Sequence, residues 1–322
     1  MEDTVIIILN WNKSDLTTKL INNIQETEGN VNVIVVDNKS NEEERKKLEK
    51  SLHEKNYLFI NENDLNNEEL LQKIDKGKNL CLFLNKNYGY AKGNNFGLKL
   101  AHKLGYKFAV ISNNDILIEE PVINELKLKM KEDDEIAVIG PKIIGPDGRI
   151  QSPSDKVGIF EYVLLPIFYP FLYPILKFKL KKFFQVNHSG ITYPYVILGC
   201  FMVLRLDYMS KIDYFDENTF LYAEELILAE KLKKFGWKMA FYPKIYVKHL
   251  HGESTKVLGE MKKYFLQLKS DLYYFEKYRK FNKIIIWLIF LAKSFDFFVW
   301  NSPRLLIKRF LKFIKRNGRK IS

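Results

Sequence analysis

Short runs dense in Val, Ile and Leu recur through the first half of the chain, and each leads into a stretch of helical periodicity. Residues 5–9, 31–36, 80–84, 108–112 and 136–139 read as buried strands, and residues 15–24, 42–52, 94–104 and 121–131 as the helices between them. Continuous apolar strands need cover above and below, and consecutive parallel strands need a connection of helical length. The pattern predicts an α/β domain, a mostly parallel central sheet with helices on both faces. A proline-punctuated apolar stretch over 157–184 interrupts it, and residues 196–204 resume a strand. Ligands of such sheets sit at the carboxyl ends of strands, so the residues after each run are the ones to inspect.

Charge divides the chain in two. The 322 residues hold 51 Lys and Arg against 39 Asp and Glu, a formal charge of +12. Residues 260–322 hold 16 of the positive side chains and 4 of the negative ones, so the rest, with 35 of each sign, is neutral. A neutral domain over 1–258 and a basic, aromatic, amphipathic helical extension over 259–322 are expected. Hydrophobic residues at 47% and charged residues at 28% exclude a disordered chain. Cys81 and Cys200 lie inside apolar runs and read as buried thiols, with neither a disulfide framework nor a zinc cluster. The start lacks a cationic segment, so a secretory signal is not expected. Residues 284–292 are apolar but far short of the ~20 residues of a membrane span, and residues 157–176 contain Glu161, Pro166, Pro170 and Pro174. Attachment to a membrane surface is expected in place of crossing.

Polar residues stand at the strand exits: Asn10 and Asn12 after the first, Asp37 and Asn38 after the second, Asn113, Asn114 and Asp115 after the fourth. An Asp there can accept from a ribose hydroxyl or a base N–H; the same residues also make ordinary turns. Asn87, Gly89, Gly93, Asn94 and Gly97 form a loop into a helix, where glycines let the backbone approach a phosphate. Asp115 is the candidate ligand for Mg²⁺ or Mn²⁺, with nucleotide phosphates completing the shell, or else part of a turn. Glu224 and Glu225 open a helix, either as dipole complements or as a general base for a hydroxyl nucleophile. His249 closes a strand, with His251, Gly252 and Ser254 just beyond.

The order of these motifs resembles the family-2 glycosyltransferases, and most of all their rhamnosyltransferase-like branch, from residue 5 to residue 254. Ile8-Leu9-Asn10-Trp11-Asn12 is similar to the opening strand motif, and Val35-Val36-Asp37-Asn38-Lys39-Ser40 to the nucleotide-binding element. Asn87 to Gly97 resembles the branch's asparagine–glycine loop, Ser112-Asn113-Asn114-Asp115 its Asp-x-Asp variant, and Gly199-Cys200-Phe201-Met202 with Phe215-Asp216-Glu217 its acceptor-side segment. Residues 220–225, then Gly236-Trp237 and His249, follow in the family's order. The resemblance implies a GT-A fold and transfer, with inversion, of a sugar from a nucleoside diphosphate, dTDP or UDP, with rhamnose as one candidate sugar. Asp37 would contact the base or ribose. Asp115 would hold Mn²⁺ or Mg²⁺, with His249 as a further metal or phosphate ligand, and Glu225 would be the catalytic base beside Glu224. Asn10, Asn12, Asn38, Asn87, Gly89, Gly93, Asn94, Asn114 and Lys231 would line the donor. Two positions depart from the family: Ile227 stands where a further acid is usual, and Lys231 where an Arg is.

The extension fits this picture. Aromatic and basic residues interleave over 262–283, and over 304–316 the apolar positions 306, 307, 310, 311, 313 and 314 share one side. Such a helix is expected to lie on an anionic membrane surface, at the cytoplasmic face as a peripheral protein. Packing on the catalytic domain is the alternative, and nucleic acid is the least favoured partner because the apolar content exceeds what phosphate tracking requires. A glycan or lipid-linked acceptor in cell-surface polysaccharide synthesis follows from the resemblance and the tail together. The rival reading is a catalytically silent, membrane-bound sugar-nucleotide-binding partner of another transferase.

Overall fold

The computed structural model describes residues 2–154, 162–163, 167–168, 190–250 and 259–301. The chain forms two compact units, Met1–Asp155 with Asn187–Leu266, and Lys156–Val186 with Gln267–Ser322. Pro166, Pro170, Pro174, His251, Ser254 and the 304–316 segment lie outside the described residues.

The first unit runs β1 (Thr4–Asn10), α1 (Ser14–Thr27), β2 (Asn32–Asp37), α2 (Glu42–His53), β3 (Leu58–Asn61), α3 (Glu68–Gln72), β4 (Leu80–Phe83), α4 (Gly89–Lys103), β5 (Phe108–Asn113), β6 (Ile116–Leu117), α5 (Ile123–Lys131) and β7 (Ile136–Ile144). It continues with β8 (Phe201–Arg205), α6 (Leu206–Lys211), α7 (Glu224–Lys233) and β9 (Lys238–His249). Among the described residues one nine-stranded sheet forms, ordered β3-β4-β2-β1-β5-β8-β7-β9-β6. Its half from β3 to β5 is all parallel, β8 runs antiparallel to both β5 and β7, and β9 runs parallel to β7. The expected α/β architecture with a mostly parallel sheet is the one observed.

The absence of alternation in β1 has its cause here. Val5 and Ile7 enter the core under α4, α6 and α7, while Ile6 and Ile8 enter the one under α1, α2 and α5. Neighbouring side chains of a strand point to opposite faces, so two-sided cover needs apolar residues at every position. Leu98 and Ala101 of α4 and Leu228 and Leu232 of α7 fill the first core; Leu20, Ile21 and Ile24 of α1 and Leu126 and Met130 of α5 fill the second.

Helix α4 starts five residues earlier than its periodicity predicts, and the glycine spacing explains why. Gly93 and Gly97, four apart, share one helical face. A Cβ on Gly97 would lie 2.6 Å from Ile7 Cγ2 and 3.1 Å from Val36 Cγ2, and one on Gly93 would lie 2.8 Å from Leu9 Cδ1. These glycines let the helix descend onto β1 and β2; they belong to packing, not to a loop around a phosphate.

The second unit contains most of α8 (Glu260–Lys277), then α9 (Lys283–Phe295) and a π-helical turn, Asp296–Asn301. Asn282 caps α9, its side chain accepting from Ile285 N at 2.9 Å. Among the described residues no helix is long and apolar enough to cross a membrane.

Replacing Gly97 with Ala forces a methyl group into the β-branched side chain of Ile7. We expect a loss of about 1–3 kcal/mol, read as a lower urea midpoint at unchanged slope.

Candidate active site

Strand register brings the polar exits level. Asn10 pairs with Asp37 across β1 and β2, and Leu9 with Asn113 across β1 and β5. A buried network grows from this alignment. Asn10 Nδ2 donates to Asp37 Oδ1 at 2.7 Å and to Ser40 Oγ at 3.1 Å, while Ser40 donates to Asp37 through its hydroxyl at 2.5 Å and its amide at 3.1 Å. Thr17 donates to Asn10 Oδ1 at 2.9 Å, and Asn114 Nδ2 donates to Thr17 at 3.2 Å and to Asn10 Oδ1 at 3.5 Å. Burial raises the Asp37 carboxyl above its ordinary value, and the bonds from Ser40 and Asn10 offset only part of that rise. Asp37 is 1% exposed, so its carboxylate acts on the loop around it more than on the surface. That loop carries Asn12, held in left-handed backbone at φ 53, with its amide on Ser40 Oγ at 2.8 Å and its Oδ1 accepting from Asn41 N at 2.7 Å.

Asn38 reaches the other way, to the start of α4. Its Oδ1 accepts from Tyr88 N at 2.8 Å and its Nδ2 donates to Gly89 O at 2.9 Å, while Asn87 Oδ1 accepts from Gly89 N at 2.9 Å. Gly89 is at φ +81, and a Cβ there would lie 2.1 Å from Phe220 O. Tyr90 N donates to the same carbonyl at 2.8 Å. The α4 start therefore docks on the main chain just ahead of α7, which brings the Asn38 network to the two glutamates. Asn94, buried on α4, donates to Tyr90 O at 3.0 Å.

Two non-glycine residues in left-handed backbone, Tyr222 at φ 74 and Ala223 at φ 64, precede α7. Such conformations are strained and persist only when the surroundings hold them. They turn Glu224 and Glu225 inward. Glu225 Oε1 accepts from Gly199 N at 2.9 Å, and Gly199 O accepts from the Tyr90 hydroxyl at 2.6 Å. A Cβ on Gly199 would lie 2.6 Å from Glu225 Oε1, so only glycine leaves room for that contact. Glu224 is buried, and its Oε1 has no hydrogen-bond partner among the described residues. Burial first, and the charge of Glu225 second, push the Glu224 carboxyl up to about 8; burial also raises Glu225. The same two carboxylates help burial lift the Tyr90 hydroxyl far above its ordinary range.

Asp115 joins from the β5 side. Asn113 N donates to Cys200 O at 2.8 Å, tying the β5 exit to the segment that holds Glu225. Burial, then the charges of Asp115 and Glu225, raise the Cys200 thiol, so both carboxylates are within its electrostatic reach. The pairing of β6 with β9 sets Ile116 opposite His249, and Leu250 N donates to Asp115 O at 2.8 Å. His249 Nε2 consequently lies 3.3 Å from Asp115 Oδ1, with its Nδ1 2.9 Å from Gln151 Oε1. Two ligands at right angles on an ion with bonds of about 2.1 Å stand about 3 Å apart, so carboxylate and imidazole fit one hard divalent ion. Among the described residues no group of three His, Cys, Asp or Glu side chains could hold a metal.

Lys231 stands apart from this assembly. Its Nζ donates to Tyr214 O at 2.6 Å and Asp213 O at 3.2 Å, and Ile227 is wholly buried in the same helix. Sequence reasoning passed over Thr17 and Gln151, and saw Ser40, Tyr90 and Gly199 only as parts of longer motifs. Tyr90 and Gly199 are 109 positions apart, and no local pattern announces such a contact.

No protein-family model matches the chain, and no curated protein matches it in sequence. Solved structures do match. The structure of GalNAc-T7 with UDP, GalNAc and Mn²⁺ superposes with a TM-score of 0.57 at 15% identity, over 86% of this chain and 48% of that one. The mannosyltransferase PcManGT from Pyrobaculum calidifontis, in complex with GDP-Man and Mn²⁺, gives 0.53 at 14% identity, over 92% of this chain and 70% of that one. The chain has a GT-A fold. It spans about half the length of GalNAc-T7. At these identities the likeness fixes the GT-A architecture and not the rhamnosyltransferase-like branch within it.

A carboxyl raised in the folded GT-A unit binds its proton more tightly there than in the unfolded chain. Its contribution is present below the ordinary value of 4.5 and is lost as pH rises toward about 8. We therefore expect Glu224→Gln to melt several degrees higher than the parent at pH 8, with the gap closing near pH 5 in thermal scans.

Proposed function

We propose that the chain is a metal-dependent glycosyltransferase that moves a sugar from a nucleoside diphosphate to a hydroxyl acceptor with inversion. The observation that carries this is Glu225, half-buried, its carboxyl raised by desolvation and fixed on Gly199 N in a GT-A fold that also holds the Asp115–His249 pair. The first two structural relatives carry UDP and GDP-Man with Mn²⁺, which supports a nucleotide-sugar donor and a divalent ion here. Asp115 and His249 would hold Mn²⁺ or Mg²⁺. When bound, such an ion stabilises the charge that develops on a departing diphosphate.

Glu225 takes the proton of the acceptor hydroxyl as its oxygen bonds to the anomeric carbon. The bond from that carbon to the diphosphate oxygen breaks, and its electron pair leaves with the nucleoside diphosphate. A carboxylate of ordinary basicity is a weak base for this step, and burial that raises its pKa improves the match. Burial raises both carboxyls, and one proton held by the Glu224–Glu225 pair would limit its charge to one. The Asn10, Asp37 and Ser40 network and the Asn38 link to Gly89 would shape the floor under the nucleotide. Within this reading the donor is a dTDP- or UDP-sugar, with rhamnose as one candidate, and the acceptor a glycan or a lipid-linked saccharide of a cell-surface polysaccharide.

A second reading, a silent sugar-nucleotide-binding partner of another transferase, draws on Ile227 and Lys231. The first cannot hydrogen-bond, and the ammonium of the second is engaged with two backbone carbonyls. Turnover separates the two. Glu225→Gln is expected to lower transfer by at least about 100-fold while nucleotide affinity stays within about twofold; full activity in that variant defeats the base assignment. Asp115→Ala is expected to abolish the gain in nucleotide affinity that Mn²⁺ confers, measured by titration calorimetry with and without the ion.

A further inference from the structure

The second unit carries a face that its role in the fold does not use. Ile284, Trp287, Leu288, Leu291 and Phe295 of α9 are between 40% and 71% exposed. At 100° per residue they occupy an arc of about 100° on the helix. Phe290, Phe298 and Val299 are exposed beside and beyond them. Ile289 and Ala292 point the other way and are buried, so the helix is docked by one side and leaves its most apolar side to solvent. Scattered exposed hydrophobics are ordinary; a continuous run of this size marks an interaction surface.

Its surroundings say what kind. No charged side chain falls within residues 284–292, and the turn that leads into α9 presents exposed Lys277, Lys280 and Lys283. Tyr273 and Tyr278, with rings 6.2 Å apart, sit at that basic end. The whole extension, 260–322, has 16 positive side chains against 4 negative. An apolar face without hydrogen-bonding groups, edged by cations and amphipathic aromatics, complements an anionic lipid surface. A helix of 13 residues is about 20 Å long, short of the ~30 Å of a bilayer core, so it suits the plane of the interface.

We propose that this face of α9 seats the protein on an anionic bilayer, with Ile284, Trp287, Leu288, Leu291 and Phe295 at the acyl boundary and the Lys277, Lys280 and Lys283 turn among the headgroups. Sequence reasoning gives the membrane role to the extension over 259–322; among its described residues, exposure points to α9 for the apolar contact. The proposal goes beyond the transferase reading and does not depend on it.

Flotation of the full-length chain with vesicles of phosphatidylcholine, alone or with about one third phosphatidylglycerol, tests it. The parent is expected to float with the anionic vesicles, less so with the neutral ones, and to be released in part by salt. Leu288→Glu with Leu291→Glu is expected to lower the partition coefficient at least tenfold with an unchanged far-ultraviolet circular dichroism spectrum. If that pair disturbs folding, Ile284→Glu alone, at the most exposed position, is expected to lower it several-fold. Failure of the parent to float overturns the proposal. Undiminished binding by folded variants overturns it too, because the basic tail would then suffice. So does a dimer, seen by light scattering and lost in Leu288→Glu with Leu291→Glu, which would give the face to a second copy of the chain.

Discussion

The main chain of Gly199 is the hub on which the site depends. Its N–H holds Glu225, its carbonyl receives the hydroxyl of Tyr90, and the absence of a side chain makes room for the carboxylate. Tyr90 belongs to α4, whose first turn is fixed by Asn38 from β2 and by Phe220 O ahead of α7. The next residue, Cys200, accepts from Asn113 at the end of β5, two positions before Asp115. Helices α4 and α7 and the end of β5 are thereby tied to the short main-chain segment Gly199–Cys200. A shift there would move Glu225, the helix that frames it and the proposed metal pair together.

Around that hub the fold accepts local instability. Two consecutive left-handed residues precede α7, a buried carboxyl lies beside a half-buried one, and one oxygen of Glu224 has no hydrogen-bond partner among the described residues. Each of these opposes folding, and an apolar residue at 224 would remove two of them. Helices α4 and α7 and the sheet supply the rigidity that holds them in place. Strain gathered at one end of a sheet, next to strand exits joined by a polar network, fits a site selected for chemistry.

Much of this was legible in the residues. The five apolar runs each became a strand, because a strand covered on both faces leaves no room for polar alternation. The strand-exit residues Asn10, Asp37 and Asn114 did converge, since register in a parallel sheet levels the ends of neighbouring strands. The glycines of α4 were harder. Spacing by four is compatible with a phosphate loop and with a helix pressed on a sheet, and only the distances to Ile7 and Leu9 decide for the second. Asp37 looked like a group that faces a ligand, and its near-complete burial behind Ser40 appears only once the loop is folded. Contacts such as Tyr90 with Gly199 and His249 with Gln151 join segments far apart in the chain, so no local signal exists for them. The apolar face of α9 was hidden for another reason: composition states how much hydrophobic surface a helix has, and only packing states which side is left uncovered.

We propose the polar edge of the sheet as a metal-assisted nucleotide-sugar site. Thermal shift of the full-length chain against a panel of UDP-, GDP- and dTDP-sugars, with and without Mn²⁺, tests it most directly through the linkage of binding to stability. At least one donor should raise the melting temperature, and do so only when Mn²⁺ is present. A flat response across the panel, or a rise indifferent to the metal, would contradict the account.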